Sequence, residues 1–236
     1  MKKLEFDFNN QKFSTSLPDE AAQSVWAEIF KEREYKAAES IISLAKDPII
    51  DVGAHVGLFA IYAKSFNPEV TIYSLEPELN NFKILQENIK KNNLTKIKNL
   101  QISLGGSSEQ SSLIVTNDSH NHRLITAPSY NLQESEETTV QPVQVYSLRD
   151  FLDKEKISQV SLLKMDIEGG EYEVFSACLP ADFARINAIV MEYHNYSGLN
   201  YKVIETQLRE NGFGVQVFPS KFDKKMGFIF AKNKRI

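Results

Sequence analysis

The stretch Ile49-Ile50-Asp51-Val52-Gly53-Ala54-His55-Val56-Gly57 runs from an apolar segment into a helical pattern that starts at Leu58. A short apolar run without alternation is typical of a strand that is buried on both faces. Glycines in a strand-to-helix turn allow a ligand to approach the backbone closely, and the start of the helix offers free N–H groups. The stretch therefore predicts a buried strand and a nucleotide-binding loop, with a plain tight turn as the alternative.

Strand-like and helical patterns continue to alternate to the end of the chain. Helical patterns cover residues 58–66, 82–89, 170–177 and 203–208, and strand-like patterns cover residues 49–52, 70–75, 97–104, 160–165, 188–193, 213–218 and 226–230. Such alternation predicts an α/β fold of the Rossmann-like kind, with a mostly parallel sheet and helices on both faces. Too few residues separate the last two strands for a helical crossover, so we expect the last strand to be antiparallel.

Two further regions complete the predicted organisation. Residues 1–46 show two alternating strand patterns, a helix start at Pro18-Asp19-Glu20 and helical spacing beyond it, which predicts an N-terminal β-hairpin and helices. Residues 47–236 form the main predicted domain. It contains a polar insert at 105–147 with strand-like patches only at 113–115 and 143–146. Long segments of this kind are usually functional or disordered.

The bulk composition excludes some classes of partner and location. The net charge is −4 and the pI is about 5.7, so the chain as a whole does not attract nucleic acid or anionic membranes. No segment approaches the roughly 20 apolar residues that a membrane span needs, and residues 1–8 do not resemble a secretion signal. We therefore expect a cytoplasmic protein without a nucleic-acid partner.

The loop and the next strand together indicate the cofactor. The strand at 70–75 ends in Leu75-Glu76-Pro77, which places an acid about 25 residues after Asp51, where a carboxylate can bind both hydroxyls of a ribose. Glu76 could otherwise be a plain helix-start acid. His55 replaces the middle glycine of a dinucleotide fingerprint, which favours S-adenosylmethionine over NAD. The predicted cofactor contacts are Asp51, Gly53, His55, Gly57, Glu76, Pro77, Leu104 and Asp166.

The sequence resembles the FkbM-type methyltransferases, a branch of the class I S-adenosylmethionine-dependent fold. The resemblance covers roughly residues 25–195 and includes the loop at 51–57, Glu76-Pro77 with Phe82, Leu85 and Asn88, and Lys164-Met165-Asp166-Ile167-Glu168-Gly169-Gly170-Glu171. It implies a seven-stranded sheet with an antiparallel last strand. It also implies an O-methyltransferase that acts on a hydroxyl of a sugar, glycolipid or polyketide-like natural product.

Three residues at strand ends are the predicted catalytic group. If the strand at 160–165 lies beside the first strand, Asp166 reaches the rim of the cofactor cleft, where it could orient the acceptor hydroxyl, hold the cofactor amino group or ligate a metal. Glu168 and Glu171 could instead complement the start of the next helix. Glu192 and His194 end the following strand and face the same side.

Two mechanisms fit this group of residues. His194 could act as the general base with Glu192 orienting its ring, or Asp166 and Glu192 could hold a divalent ion. We prefer the version without a metal. We also expect the insert to cover the acceptor side of the cleft, where His120, His122 and Arg123 contact the acceptor or form a solvated loop. The alternative functions are an NAD(P)-dependent oxidoreductase and a non-catalytic cofactor-binding module.

Overall fold

The computed structural model describes residues 1–115, 119, 123–124, 139–195, 198–220 and 225–235, with Arg123 described by its backbone only. Along the chain the elements are β1 (Lys2–Phe8), β2 (Gln11–Leu17), α1 (Glu20–Ala27), a π-helical turn (Glu28–Glu32), a 3-10 turn (Glu34–Ala38), α2 (Glu39–Leu44), β3 (Ile49–Val52), α3 (Leu58–Phe66), β4 (Ile72–Leu75), α4 (Leu79–Lys91), β5 (Ile97–Leu100), β6 (Ser103–Leu104), β7 (Glu109–Val115), β8 (Arg123–Leu124), β9 (Thr139–Tyr146), α5 (Leu148–Lys154), β10 (Leu162–Met165), α6 (Glu171–Ala177), α7 (Pro180–Phe183), β11 (Ala188–His194), α8 (Tyr201–Glu210), β12 (Phe213–Pro219) and β13 (Met226–Asn233).

The main sheet has seven strands in the order β12-β13-β11-β10-β3-β4-β5. All neighbouring pairs from β11 to β5 are parallel, whereas β13 is antiparallel to both β11 and β12. Strand β10 lies beside β3, the condition on which the placement of Asp166 depended, with Lys164 opposite Asp51 and Met165 opposite Val52. The predicted seven-stranded, mostly parallel sheet with an antiparallel last strand is therefore confirmed.

The central strands are buried on both faces, as their continuous apolar sequences predict. Along β3, Ile49 belongs to one hydrophobic cluster, while Ile50 and Val52 belong to the other. Because successive side chains of a strand point to opposite faces, this division shows that both faces of the sheet are covered. The first cluster includes residues of α3 and α4, and the second includes residues of α5, α6 and α8. The predicted helices on both faces are present.

The N-terminal segment packs directly on this core. Phe13 and Leu17 of β2 belong to the same hydrophobic cluster as residues of α3. The buried amide of Asn88 on α4 accepts a 2.7 Å hydrogen bond from Ser16 N and donates to Ser16 O at 3.1 Å and Val56 O at 2.9 Å. Asn88 therefore joins the hairpin to the loop that follows β3.

The third strand and the insert differ from the sequence prediction. The strand expected at 97–104 is two strands, because the chain leaves the main sheet after Leu100 and β6 pairs with β9 in a second sheet of order β6-β9-β7-β8. Strands β7 and β9 extend the predicted patches to residues 109–115 and 139–146. Only one face of this sheet is apolar, with Leu113, Val143 and Val145 buried, so its sequence is polar overall. Among the helices of the described residues, none is both long and apolar enough to cross a membrane.

Candidate active site

A cavity of about 1200 Å³ opens at the carboxyl ends of β3, β4, β10 and β11. Its lining includes Gly53, His55, Glu76 and Pro77 from the loops after β3 and β4, and Asp166 from the loop after β10. Glu192 and His194 of β11 line it too. In open α/β sheets the carboxyl ends of the strands are where ligands bind. The cavity therefore brings together most of the residues predicted to act on cofactor and acceptor.

The loop after β3 depends on a glycine at its first position. Gly53 has a φ of +74°, and a Cβ atom placed on it would lie 1.8 Å from the backbone oxygen of Asp166. The loop is also tied to β4, because Gly53 N and Ala54 N donate to Leu75 O at 3.1 and 2.9 Å. Only a residue without a side chain allows this loop to pack so closely against the end of β10.

Glu76 closes the other side of the loop. Its Oε2 accepts a 2.7 Å hydrogen bond from His55 N, and its Oε1 accepts a 2.9 Å bond from Glu78 N. Burial, with only 5% of the residue exposed, raises the pKa of Glu76 to about 8 against the lowering effect of these two bonds. Each carboxylate oxygen can still accept another hydrogen bond. The pair of oxygens therefore suits a ligand with two adjacent hydroxyl groups.

Asp51 and Lys164 form an ion pair that supports the loop after β3. Of the two, only Lys164 lines the cavity. Asp51 is fully buried, and its Oδ1 lies 3.3 Å from Lys164 Nζ, which also donates a 2.8 Å bond to Gly53 O. Burial lowers the pKa of Lys164, but the carboxylates of Asp51 and Asp166 outweigh this and raise it. The charged side chain of Lys164 on β10 therefore contacts both β3 and the loop that follows it. Asp51 is absent from the cavity wall, whereas Lys164 contributes to it.

Asp166, Glu192 and His194 converge at the ends of β10 and β11. Asp166 keeps 28% of its side chain exposed in the cavity, with Oδ2 4.0 Å from Lys164 Nζ. His194 Nε2 lies 3.8 Å from Glu192 Oε1 and 3.6 Å from Glu168 Oε2. Burial, followed by the charges of Asp166 and Glu34, raises the pKa of Glu192 well above its usual range. A histidine between two carboxyl groups is an arrangement that can accept a proton.

The turn between β10 and α6 places Glu168 beside that histidine. Glu168 has a φ of +54°, a conformation that is strained for residues other than glycine. Glu171 is fully buried and accepts a 2.9 Å hydrogen bond from Ile167 N through Oε1. Burial raises the pKa of Glu171 to about 7, against the lowering effect of its backbone hydrogen bonds. Glu171 therefore holds the turn, and Glu168 lines the cavity.

The sequence prediction missed several residues of the cavity wall. Glu34 and Tyr35 come from the N-terminal segment, after Arg33 with a φ of +56°. Burial, and then the charges of Glu28 and Asp166, raise the pKa of Glu34 to about 8. Other residues missed are Asn81, Ser103, Ser119, Lys164 and Lys225. No local pattern marks Glu34, because only the packing of the helical turns against β11 brings it to the cavity.

Three of the predicted cofactor contacts do not line the cavity. Gly57, with a φ of +86°, precedes α3, and a Cβ there would contact Leu85 at 3.3 Å. Leu104 is fully buried in the hydrophobic core, because β6 turns away from the main sheet, and its neighbour Ser103 lines the cavity instead. Asp51 is the third. His120, His122 and the side chain of Arg123 lie outside the described residues.

A sequence profile described as "Methyltransferase FkbM domain" matches residues 51–215. The chain belongs to the FkbM methyltransferase family. It is 29% identical over 202 residues to Methyltransferase 1 of Beauveria bassiana, covering 78% of this chain and 80% of that protein. It is 24% identical over 218 residues to the 31-O-demethyl-FK506 methyltransferase FkbM of Streptomyces tacrolimicus, covering 82% of each.

Solved structures show the same class I methyltransferase fold. Aeropyrum pernix fibrillarin in complex with S-adenosyl-L-methionine has a TM-score of 0.52 and 14% identity, covering 97% of this chain and 82% of that one. At this identity the likeness shows the fold alone. Methyltransferases of this family use S-adenosylmethionine as their cofactor. The close approach permitted by Gly53 and the carboxylate of Glu76 fit this group. The nicotinamide alternative is not supported, because the family that the chain belongs to is one of S-adenosylmethionine-dependent methyltransferases.

We expect the affinity for S-adenosylhomocysteine, the demethylated cofactor, to rise roughly tenfold from pH 7 to pH 9 through Glu76. The pKa of about 8 keeps Glu76 largely protonated at pH 7, whereas hydroxyl donors of a ribose favour the ionised form. Stronger binding therefore requires a pH at which the proton has left. Titration calorimetry at successive pH values measures the effect.

Glu76→Gln is the matched control, because it keeps the size of the side chain and removes its titration. The ligand's own amino group also loses its proton in the alkaline range, but it does so equally in both experiments. The variant should bind more weakly at pH 9 and show the smaller pH dependence. Equal pH profiles for the two proteins would remove Glu76 from the cofactor site.

Proposed function

We propose that the chain is an S-adenosylmethionine-dependent O-methyltransferase whose acceptor is a hydroxyl group of a sugar, glycolipid or polyketide-like natural product. The observation that carries the proposal is the position of His194 between Glu168 and Glu192 in the same cavity as the loop after β3. A neutral alcohol is a poor nucleophile, so its proton must be removed or shared during methyl transfer. The name of the Streptomyces relative, which refers to an O-demethyl compound, supports an oxygen acceptor.

Glu76 and the loop after β3 are the residues that would hold the cofactor. Glu76 would accept hydrogen bonds from the ribose hydroxyls, while Gly53 allows the loop to approach closely and His55 and Pro77 complete the wall. When bound, S-adenosylmethionine supplies a methyl group on a sulfonium that is activated for transfer. The contribution of the protein is then to align the acceptor oxygen and to take its proton.

His194 is the residue assigned to the acceptor proton. Accepting that proton makes the imidazole ring positive, and the two carboxyl groups lie within 4 Å of its Nε2, at 3.6 Å for Glu168 and 3.8 Å for Glu192. The high pKa of Glu192 favours its protonated form, so we assign the negative charge beside the ring to Glu168, while Glu192 lies against the ring at 3.8 Å. This assignment explains the strained backbone of Glu168, because that conformation directs its carboxylate towards His194.

Asp166 and Glu34 complete the acidic part of the wall. Their charges raise the pKa of Glu192, which places both carboxylates near the proposed base. The pKa of about 8 keeps Glu34 largely protonated at pH 7, so we assign to Asp166 the negative charge that complements the positive sulfonium and ammonium groups of the cofactor. We assign Asp166 to the cofactor amino group or to the acceptor hydroxyl, and Glu34 to the acceptor side, because it belongs to the N-terminal wall and lies outside the loops after β3 and β4.

We expect methyl transfer to hydroxylated natural products when the protein is incubated with S-adenosylmethionine carrying a labelled methyl group. A panel should contain sugars, glycolipids and polyketides, each paired with its analogue in which the hydroxyl is already methylated. The label should appear as an O-methyl group in NMR spectra of a free-hydroxyl compound and in none of the blocked analogues. A product methylated on nitrogen or carbon would contradict the O-methyltransferase proposal.

The same assay distinguishes the mechanism that uses a divalent ion. Among the described residues, no group of three or more His, Cys, Asp or Glu side chains is arranged to hold a metal ion. The assignment of His194 requires that turnover stays unchanged when a chelator is added. Activity that disappears with the chelator and returns with Mg²⁺ would favour Asp166 and Glu192 as ligands instead.

A further inference from the structure

Ser119 of the insert makes polar contacts with three separate parts of the chain. Its Oγ donates to Asp19 Oδ1 at 3.0 Å, and its backbone N donates to Asp19 Oδ2 at 3.2 Å. Its backbone oxygen accepts a 2.6 Å bond from Asn81 Nδ2. Finally, its Oγ lies 2.8 Å from His55 Nε2. One residue therefore connects the start of α1, the start of α4 and the loop after β3.

The direction of these bonds indicates that one particular nitrogen of the His55 ring carries a hydrogen. Because the hydroxyl hydrogen of Ser119 points to Asp19, the Ser119 oxygen can only accept from His55, so Nε2 carries the hydrogen in this contact. The backbone of His55 is held as well, since His55 N donates to Glu76 Oε2 at 2.7 Å. The backbone and the ring of His55 are thus held from opposite sides.

The groups that hold Ser119 are themselves well anchored. Asp19 is the N-cap of α1 and accepts a 2.9 Å bond from Ala22 N. Burial alone would raise the pKa of Asp19, but hydrogen bonds from Ala22 and Ser119 outweigh it and lower the pKa. Asn81 lies in the first turn of α4, where its backbone N donates to Glu78 Oε2 at 2.7 Å. A shift of Ser119 therefore breaks several bonds at once.

We propose that Ser119 is a positioning residue for the cofactor, and that its hydroxyl holds the His55 ring against the cavity so that bound cofactor dissociates slowly. Ser119, His55 and Asn81 all line the cavity beside Glu76 and Pro77. The inference rests on the proposed cofactor site, but it does not depend on the identity of the methyl acceptor. It assigns to the insert a role at the cofactor end of the cavity in addition to the expected role at the acceptor side.

The test is the dissociation rate of S-adenosylhomocysteine from Ser119→Ala, measured by chasing tritiated ligand with an excess of unlabelled ligand. The substitution removes both hydrogen bonds of the Ser119 hydroxyl, to Asp19 and from His55, and loss of the bond that holds the His55 ring should raise the rate about tenfold. Ser119→Thr keeps the hydroxyl and should dissociate within about twofold of the unmodified protein. Ser107→Ala is the matched control, because Ser107 belongs to the same insert and, within the residues that the structure describes, its Oγ bonds only the exposed Glu109 at 2.9 Å.

The outcomes separate this inference from the proposed function. An unchanged rate in Ser119→Ala, or an equal increase in Ser119→Ala and Ser119→Thr, would overturn it. Thermal unfolding without ligand should be nearly the same for all three variants, and a large loss of stability in Ser119→Ala would indicate a merely structural role. Failure of the unmodified protein to bind S-adenosylhomocysteine overturns both proposals, whereas binding without O-methylation of any acceptor overturns only the proposed function.

Discussion

Replacing His194 with alanine is expected to lower kcat for methyl transfer about 10²–10⁴-fold, the usual contribution of a general base. The ring that accepts the acceptor proton is removed, while the groups assigned to the cofactor remain. The backbone at this position should stay in place, because Tyr172 OH donates a 3.0 Å hydrogen bond to His194 O. The measurement is kcat against pH for the unmodified and the substituted protein.

Two controls distinguish an effect on the methyl-transfer step from an effect on cofactor binding. The affinity for S-adenosylhomocysteine should change little in His194→Ala, since Glu76 and the loop after β3 are untouched. His194→Gln keeps polar atoms at the site without a group that titrates near neutral pH, so its kcat should be as low as that of His194→Ala. A general base acts in its unprotonated form, so kcat of the unmodified protein should rise with pH, and this rise should disappear in both variants. Unchanged kcat in either variant would exclude His194 from proton removal.

Replacing Gly53 with alanine should reduce kcat/KM about 100-fold, the effect expected when reacting groups are misplaced by about 1 Å. The added Cβ would lie 1.8 Å from Asp166 O and 2.9 Å from Asp166 C, and both are backbone atoms. Neither can rotate away, so the loop after β3 must separate from the end of β10. That separation moves Asp166 away from the residues assigned to the cofactor. Binding of S-adenosylhomocysteine, measured by calorimetry, should weaken in parallel.

Gly198→Ala distinguishes this steric effect from backbone strain. Gly198 also has a positive φ, +87°, but a Cβ added there meets no atom of the described part of the chain within 4 Å. Both variants carry the cost of a left-handed alanine, roughly 1–2 kcal/mol. Only Gly53→Ala also forces two strand ends apart. Equal losses of kcat/KM in the two variants would show that the close approach at Gly53 has no functional importance.

Much of the fold could be predicted because the relevant signals are local. Apolar runs such as Ile49–Val52 and Leu162–Met165 lack alternation, and a strand buried on both faces needs a parallel sheet covered by helices. The short link between β12 and β13 excludes a crossover and makes the last strand antiparallel. Asp166, Glu192 and His194 could be grouped for a related reason, since parallel strands end at the same edge of a sheet.

The amino-acid sequence by itself therefore determined the class of fold, the glycine loop after β3 and the acids at the strand ends, because each depends on residues that are neighbours along the chain. Only the tertiary structure decided that Leu104 enters the core, that Glu34 reaches the cavity and that Ser119 bonds both Asp19 and His55. These contacts join residues that are far apart in sequence. They depend on the departure of β6 from the main sheet, on the left-handed turn at Arg33 and on the position of the insert. Their positions follow from how whole elements pack, and packing leaves no periodic pattern in the sequence.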